Sequence, residues 1–373
     1  MRVLAAPDKF RGTLTSPQAA RAISAGWRRE RPGDEIAELP MADGGEGTLD
    51  TLVEALGGSL RQARVAGPLG DPVDAAFGIV DRALGNLGIV EMARASGLPL
   101  VSRREPLRAS TYGTGELIRE ACRAGARTLV VCIGGSATTD GGAGMAQALG
   151  ARLLDARGGP VPPGGAGLLE LARIDLSAME PALRSVRVVA ASDVDSPLTG
   201  PRGSAHVFGP QKGASPDDVL LLDRALGHLA AVIDRDLGID VRGLRGAGAA
   251  GGLGAGLVAF LGARIRPGVE VVMEAVRFGE RLASADVVLT GEGRLDASSL
   301  AGKVVGGVLA AAREARTPAA VLCGDAQIRP DGVEVVSLVE SFGRERAFAD
   351  TRLALEDLAA EVAGRARTLP CPP

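Results

Sequence analysis

Lysine is nearly missing from this chain: of 42 basic residues, only Lys9, Lys212 and Lys303 are lysines. Histidine is scarcer. His206 and His228 are the only two, 22 positions apart, which leaves little material for a histidine metal site or a phosphohistidine relay. Acid–base chemistry therefore falls mainly to carboxylates. Aromatics make up 2% of the chain, the formal net charge is −3 and no dense basic run occurs, which argues against a generic nucleic-acid surface. The four cysteines, Cys122, Cys132, Cys323 and Cys371, lack CxxC spacing and suggest neither a zinc site nor a disulfide framework. No apolar run approaches the roughly 18 residues that a membrane span needs, so no membrane partner is expected. The opening MRVLAA is too short for a signal-peptide core and runs into Pro7-Asp8, so a first strand and a cytoplasmic location are expected. Also missing are the GxxxxGKS/T of a P-loop and the HRD and DFG of protein kinases.

What is present is an ordinary globular balance of 46% hydrophobic and 23% charged residues over 373 positions, enough for roughly two or three domains. Residues 1–63 read as strand, helix, strand, helix. Residues 2–6 are apolar; Ser16 offers an N-cap with Pro17 following, and Ala19, Ile23 and Trp27 share one helical face. After a second strand at 36–39 and the glycines at 44–47, Leu49, Leu52, Val53 and Leu56 mark another helix that Gly57-Gly58 ends. The C-terminal part resumes the alternation with strands at 286–290, 319–323 and 335–339 and a helix at 299–313. A final amphipathic helix carries Phe348, Leu353, Leu355, Leu358 and Val362. Together the two ends supply five strands for a small doubly wound parallel sheet of flavodoxin-like order 2-1-3-4-5. Residues 64–110 look instead like a meander with turns at Gly67-Pro68, Gly70-Asp71-Pro72 and Gly85-Asn86. A helix from about Thr114, strands at 129–133 and 186–191 and a helix capped by Ser215-Pro216 follow. The expected organisation is a discontinuous α/β domain, 1–63 with 285–373, and a second α/β domain at 64–284 inserted into it.

Polar loops close the expected strands. Strand 1 runs into Asp8-Lys9-Phe10-Arg11, strand 2 into Asp43-Gly44-Gly45-Glu46-Gly47, and the third outer strand into Gly291-Glu292-Gly293-Arg294-Leu295-Asp296 ahead of Gly302-Lys303. In the 2-1-3-4-5 order, strands 1 and 3 flank the switch point where ligands sit. Glycines before a helix leave N–H groups for an anion, and mixed carboxylates and cations suit a magnesium-bound polyphosphate. A single Asp-Gly is ordinary turn chemistry; three such loops on one edge point to function. The inserted part adds Gly134-Gly135-Ser136, the start of a Gly/Ser/Thr cradle, then Asp193 after a buried strand, and Lys212. Lysine confined to three glycine-containing segments is either chance or a demand for a compact ammonium at anion sites. Asp195 is expected to cap the turn at Ser196-Pro197, with His206 and His228 structural. The Gly246-Ala247-Gly248-Ala249-Ala250-Gly251 run matches GxGxxG, yet no strand leads into it, so close helix packing or a lid is the better explanation.

The segments APDKFRG (6–12), PMADGGEGT (40–48), EMARASGL (91–98), TYGTGELI (111–118) and IGGSATTDGGAGMAQALGA (133–151) resemble the type-1 glycerate kinase family. So do SDVDSPLTGP (192–201), FGPQKGA (208–214), GAGAAGGLG (246–254) and TGEGRLD (290–296), in order along nearly the whole chain. The resemblance implies an ATP:glycerate phosphotransferase with a flavodoxin-like domain, an inserted domain similar to a restriction-endonuclease-like fold, and a site in the cleft between them. Such families are associated with 2-phosphoglycerate as product. Arg11 stands where the family usually has Lys, Ser192 where it has Cys, and Ala297-Ser298-Ser299 where it has an amide-containing stretch.

The expected chemistry is in-line transfer of the γ-phosphoryl of Mg-ATP to a hydroxyl of D-glycerate. Asp193 leads as base or Mg2+ ligand, with Asp296 the alternative for either role and Lys9 beside them. Asp8, Lys9, Arg11, Asp43, Glu46, Glu292 and Lys303 form the substrate and phosphate site. Gly44, Gly45, Gly134, Gly135 and Ser136 would supply it with N–H donors, and Lys212 a cation. The rivals are a nicotinamide-dependent oxidoreductase using residues 246–251 and a ligand sensor without turnover. NADH fluorescence enhancement without ATP protection would mark the first, and stabilisation by ligand without ADP release the second.

Overall fold

The computed structural model of the chain describes residues 1–83 and 85–372. The strands among them are β1 (Arg2–Ala5), β2 (Glu35–Glu38), β3 (Ser59–Ala66), β4 (Pro72–Val80), β5 (Asn86–Glu91), β6 (Ala126–Cys132) and β7 (Arg152–Leu154). They continue with β8 (Arg173–Asp175), β9 (Arg187–Ala191), β10 (Arg264–Arg266), β11 (Val287–Leu295), β12 (Ala319–Ala326) and β13 (Glu334–Ser337). Two compact units divide the chain: Met1–Asp43, Glu54–Leu56 and Gly268–Pro373 make one, Gly44–Val53 and Gly57–Pro267 the other. Among the described residues no helix is long and apolar enough to cross a membrane.

The first unit holds a five-stranded parallel sheet, β13-β12-β11-β1-β2. Counted within the unit, that is the expected order 2-1-3-4-5. Its core joins Val3 and Ala5 of β1, Val287 and Leu289 of β11 and Leu322 of β12 to Ile23 and Trp27 of the helix Ser16–Glu30. Leu355, Leu358 and Val362 of the helix Thr351–Gly364 complete it. Four local expectations change. The first helix is capped by Thr15, not Ser16: Thr15 and Gln18 form a reciprocal capping box, which leaves the Ser16 hydroxyl for Asp8. The polar stretch 290–295 is strand rather than loop, because β11 stays paired with β12 out to Leu295↔Ala326. The expected helix 299–313 is broken: a turn at Ala297–Leu300 stops before Gly302, whose φ of 83° suits glycine, and the helix proper is Val304–Ala315. The final helix is also two, Arg344–Ala349 and Thr351–Gly364, and Phe348 and Leu353 face solvent rather than the core.

The second unit is built on a mixed six-stranded sheet, β10-β9-β6-β5-β4-β3. β3, β4 and β5 form the antiparallel meander, and β5, β6, β9 and β10 run parallel. A small antiparallel pair, β7 and β8, sits apart from it. Leu129, Val131 and Val188 of the strands pack with Leu226, Leu229 and Ile233 of the helix Pro216–Leu237, which opens on a Ser215/Asp218 capping box. The glycine run resolves into close packing. At Gly251 (φ 74°) a Cβ would lie 1.9 Å from the Thr138 carbonyl oxygen, so the start of the helix Ala249–Leu261 lies directly against the 138–142 loop.

Candidate active site

β1, β11 and β12 end on the same edge of the first unit's sheet, and a cavity of about 530 Å³ opens there. Asp8, Lys9 and Arg11 reach it after β1, Asp43 after β2, Glu292, Arg294 and Asp296 along and beyond β11, and Lys303 from the cap of its helix. The 8–11 loop is fastened to β11: the Asp8 amide donates to the Gly291 carbonyl at 2.8 Å, and the Gly293 amide to the Lys9 carbonyl at 3.4 Å. Gly293 permits this approach, since a Cβ there would stand 3.0 Å from the Arg11 amide nitrogen.

The cavity floor is acidic and poorly solvated. Asp8 is buried and accepts from the Lys9 amide at 2.7 Å and, at 3.5 Å, from the Ser16 hydroxyl. Burial, reinforced by the charge of Asp43, pushes its carboxyl up to about 6. Burial pushes Glu292 up to about 7, with Asp8 adding repulsion and the Ser299 hydroxyl and Lys303 opposing it. One oxygen of Glu292, Oε1, has no hydrogen-bond partner among the described residues. Lys9 lies 3.9 Å from Asp43. Asp296 differs in kind: its Oδ1 accepts from the amide and hydroxyl of Ser298, capping the short turn and holding the carboxyl below its usual range. Its other oxygen stands 4.0 Å from Arg294, and Lys303 donates to Ser298 at 2.9 Å.

The remaining expected site residues belong to the second unit. β5, β6 and β9 are parallel, so Glu91, the 134–142 loop and Asp193 leave from one edge of that sheet. Gly45 is close by, 3.1 Å from where a Cβ of Gly134 would be. Lys212 is buried, donating to the Ser136 hydroxyl at 2.8 Å and to the Thr138 carbonyl at 2.6 Å. Burial depresses its ammonium to about 7, against the opposing charge of Asp140. Asp140, itself fully buried, accepts from the amide and hydroxyl of Thr111 and the amides of Gly142 and Gly144, so it organises the loop from inside. Asp193 and Glu46 are exposed. Asp195 pairs with Arg245 at 2.5 Å instead of capping the 196–197 turn, because the arginine offers a charged partner on the surface. His206 lies 3.9 Å from Asp223, and His228 bonds the Leu171 carbonyl at 2.7 Å.

Glu91 escaped sequence reasoning. Wholly buried at the end of β5, it accepts from the Gly47 and Leu49 amides at 3.0 and 3.1 Å. The first-turn amides of the helix Thr48–Ala55 are thus held by a protein carboxylate. A charged residue ending an apolar strand was the available signal. Ser16, Asp325, Arg344 and Phe348, all at the first unit's cavity or its floor, carried no local signal at all.

Comparison with known proteins adds an independent line. A family model described as "Glycerate kinase family" matches residues 3–368. A glycerate kinase from Halalkalibacterium halodurans is 49% identical over 86% of this chain and 85% of that protein. A glycerate 2-kinase from Escherichia coli K12 is 44% identical over 87% and 85% respectively. A crystal structure from Salmonella typhimurium LT2, provisionally described as glycerate kinase 2, superposes with a TM-score of 0.90 at 43% identity, covering 99% of this chain and 98% of that one.

Proposed function

The chain belongs to the glycerate kinase family, and from that premise we propose that it is an ATP-dependent kinase that transfers the γ-phosphoryl of Mg-ATP to D-glycerate, giving 2-phosphoglycerate. The observation that carries the proposal is the convergence of Asp8, Asp43, Glu292 and Asp296 with Lys9, Arg11 and Lys303 on one cavity at the carboxyl edge of a parallel sheet. Phosphoryl transfer asks a protein for little covalent chemistry and much positioning and charge neutralisation, which is what such a lining offers.

Lys9, Arg11 and Lys303 grip phosphate or carboxylate oxygens. A carboxylate, Asp193 first and Asp296 second, accepts the proton of the attacking hydroxyl as its oxygen bonds to the γ-phosphorus. The bond to the bridging oxygen breaks and ADP leaves. Among the described residues no cluster of three or more His, Cys, Asp or Glu side chains is disposed to cage a metal. Magnesium usually takes one or two carboxylates and completes its shell with water and phosphate oxygens, so the donors present fit an ion carried in on the nucleotide. Asp193 or Asp296 would hold it, and its chemistry would be neutralisation of phosphate charge. Gly44, Gly45 and the 134–136 loop supply N–H donors, with Lys212 shaping that loop from behind.

A coupled ADP-release assay on D-glycerate, with phosphorus NMR of the product, tests the activity; no ADP release, or a 3-phosphoglycerate signal, would refute the corresponding part. Asp193→Asn should lower kcat by about a hundredfold or more, and near-normal turnover would remove it as base. Lys303→Ala should raise a Michaelis constant; if neither moves, Lys303 grips no anion.

A further inference from the structure

The cavity of the first unit is not lined by charge alone. Leu338, Ala347 and Phe348, from the segment that follows β13 in sequence, also line it, with Arg344 beside them. Phe348 is the one exposed phenylalanine among the seven, 55% accessible, while Phe10, Phe77, Phe260 and Phe278 are buried. Arg344 forms no ion pair among the described residues, and its guanidinium lies over the Phe348 ring, 5.4 Å from the centroid. A half-wet aromatic face beside a guanidinium is a stacking platform for a flat heteroaromatic ring. Asp325, at the end of β12, lines the same cavity. A carboxylate there can accept from sugar hydroxyls, as acidic residues do in other nucleotide sites.

Size agrees with chemistry. The cavity holds about 530 Å³. That suits an extended nucleoside triphosphate and far exceeds a three-carbon hydroxy acid. Resting on the kinase reading above, we propose that this cavity is the nucleotide subsite, with the base stacked on Phe348 beside Arg344 and the phosphates at Lys9, Arg11 and Lys303.

Calorimetric titration of the full chain with ADP and, separately, with inorganic tripolyphosphate, both in magnesium chloride, tests this. Phe348→Ala should weaken ADP about tenfold or more, leave tripolyphosphate unchanged, and raise KM for ATP with KM for D-glycerate unmoved. Phe348→Trp should restore ADP affinity. Because Phe348 contributes little to the core, its truncation leaves the fold intact. Equal weakening of both ligands, no change in either, or a shift in the D-glycerate KM alone would overturn the proposal. The two readings fail separately: ADP binding through Phe348 without turnover would sink the kinase and keep the subsite, and normal turnover indifferent to Phe348 would do the reverse.

Discussion

Asp8 and Glu292 make the cavity floor sensitive to pH, and the sign follows from burial. Free carboxyls titrate near 4, whereas these two are pushed up to about 6 and about 7. Between about pH 4 and 7 the folded chain therefore binds more protons than the unfolded chain. The stability they contribute is full at low pH and lost as pH rises through the folded values. Asp34 and Asp175, held down at about 2 by their partners, act below that window. Lys212, depressed to about 7, acts above it and with opposite consequence, stability rising from there toward its free value. Urea midpoints between pH 5 and 7 should thus fall less steeply in Glu292→Gln than in the unaltered chain; an unchanged slope would show that Glu292 does not titrate in this range. Most of the charged floor was legible because Asp8, Asp43 and Glu292 stand in Gly-flanked runs that sequence reasoning can place at strand ends. Phe348 was not: its neighbours give a helical apolar pattern, and only the break at Asp350 turns the ring outward.

The helix Ala249–Leu261 departs from helical geometry at its start, with Ala250, Gly251 and Gly252 all at positive φ. Such a path brings its backbone onto the 138–142 loop, the segment that Lys212 and Asp140 brace from the other direction. Gly251→Ala would force a methyl against the Thr138 carbonyl as well as straining φ, and should cost more than about 2 kcal/mol. Gly262→Ala, at φ 61° with nothing within 4 Å of the added carbon, should cost only the backbone part, about 1–2 kcal/mol. Chemical unfolding of the two variants measures the difference, and equal losses would mean the contact is not tight. Sequence could favour packing over nucleotide binding here because no strand precedes the run, but it could not name the partner loop, which lies over 100 positions away. At β11 sequence erred for a related reason: TGEGRL has a loop's composition, and only pairing with β12 keeps it extended.

At the scale of the whole molecule, the described residues of each unit pack a hydrophobic core against that unit's own sheet. The five-strand order was readable because strands and helices alternate at both ends of the sequence, and parallel neighbours then have few arrangements available. Which polar loops would share a cavity followed from that order; the stacking platform, formed where the C-terminal helices meet the strand ends, did not. The scarcity of lysine now has a practical side. A lysine-specific endoprotease finds three bonds in the entire polypeptide, after residues 9, 212 and 303. One of these side chains is interred and hydrogen-bonded, and the other two line the cavity. Native digestion should therefore be slow, and its rate a clock for local opening. Mg-ATP should retard cutting after 9 and 303 more than after 212, read from fragment masses over time; uniform retardation would mean that only global unfolding exposes them. A near-total preference for arginine has thus left this polypeptide with built-in reporters, one in a buried loop brace and two at the mouth of its cavity.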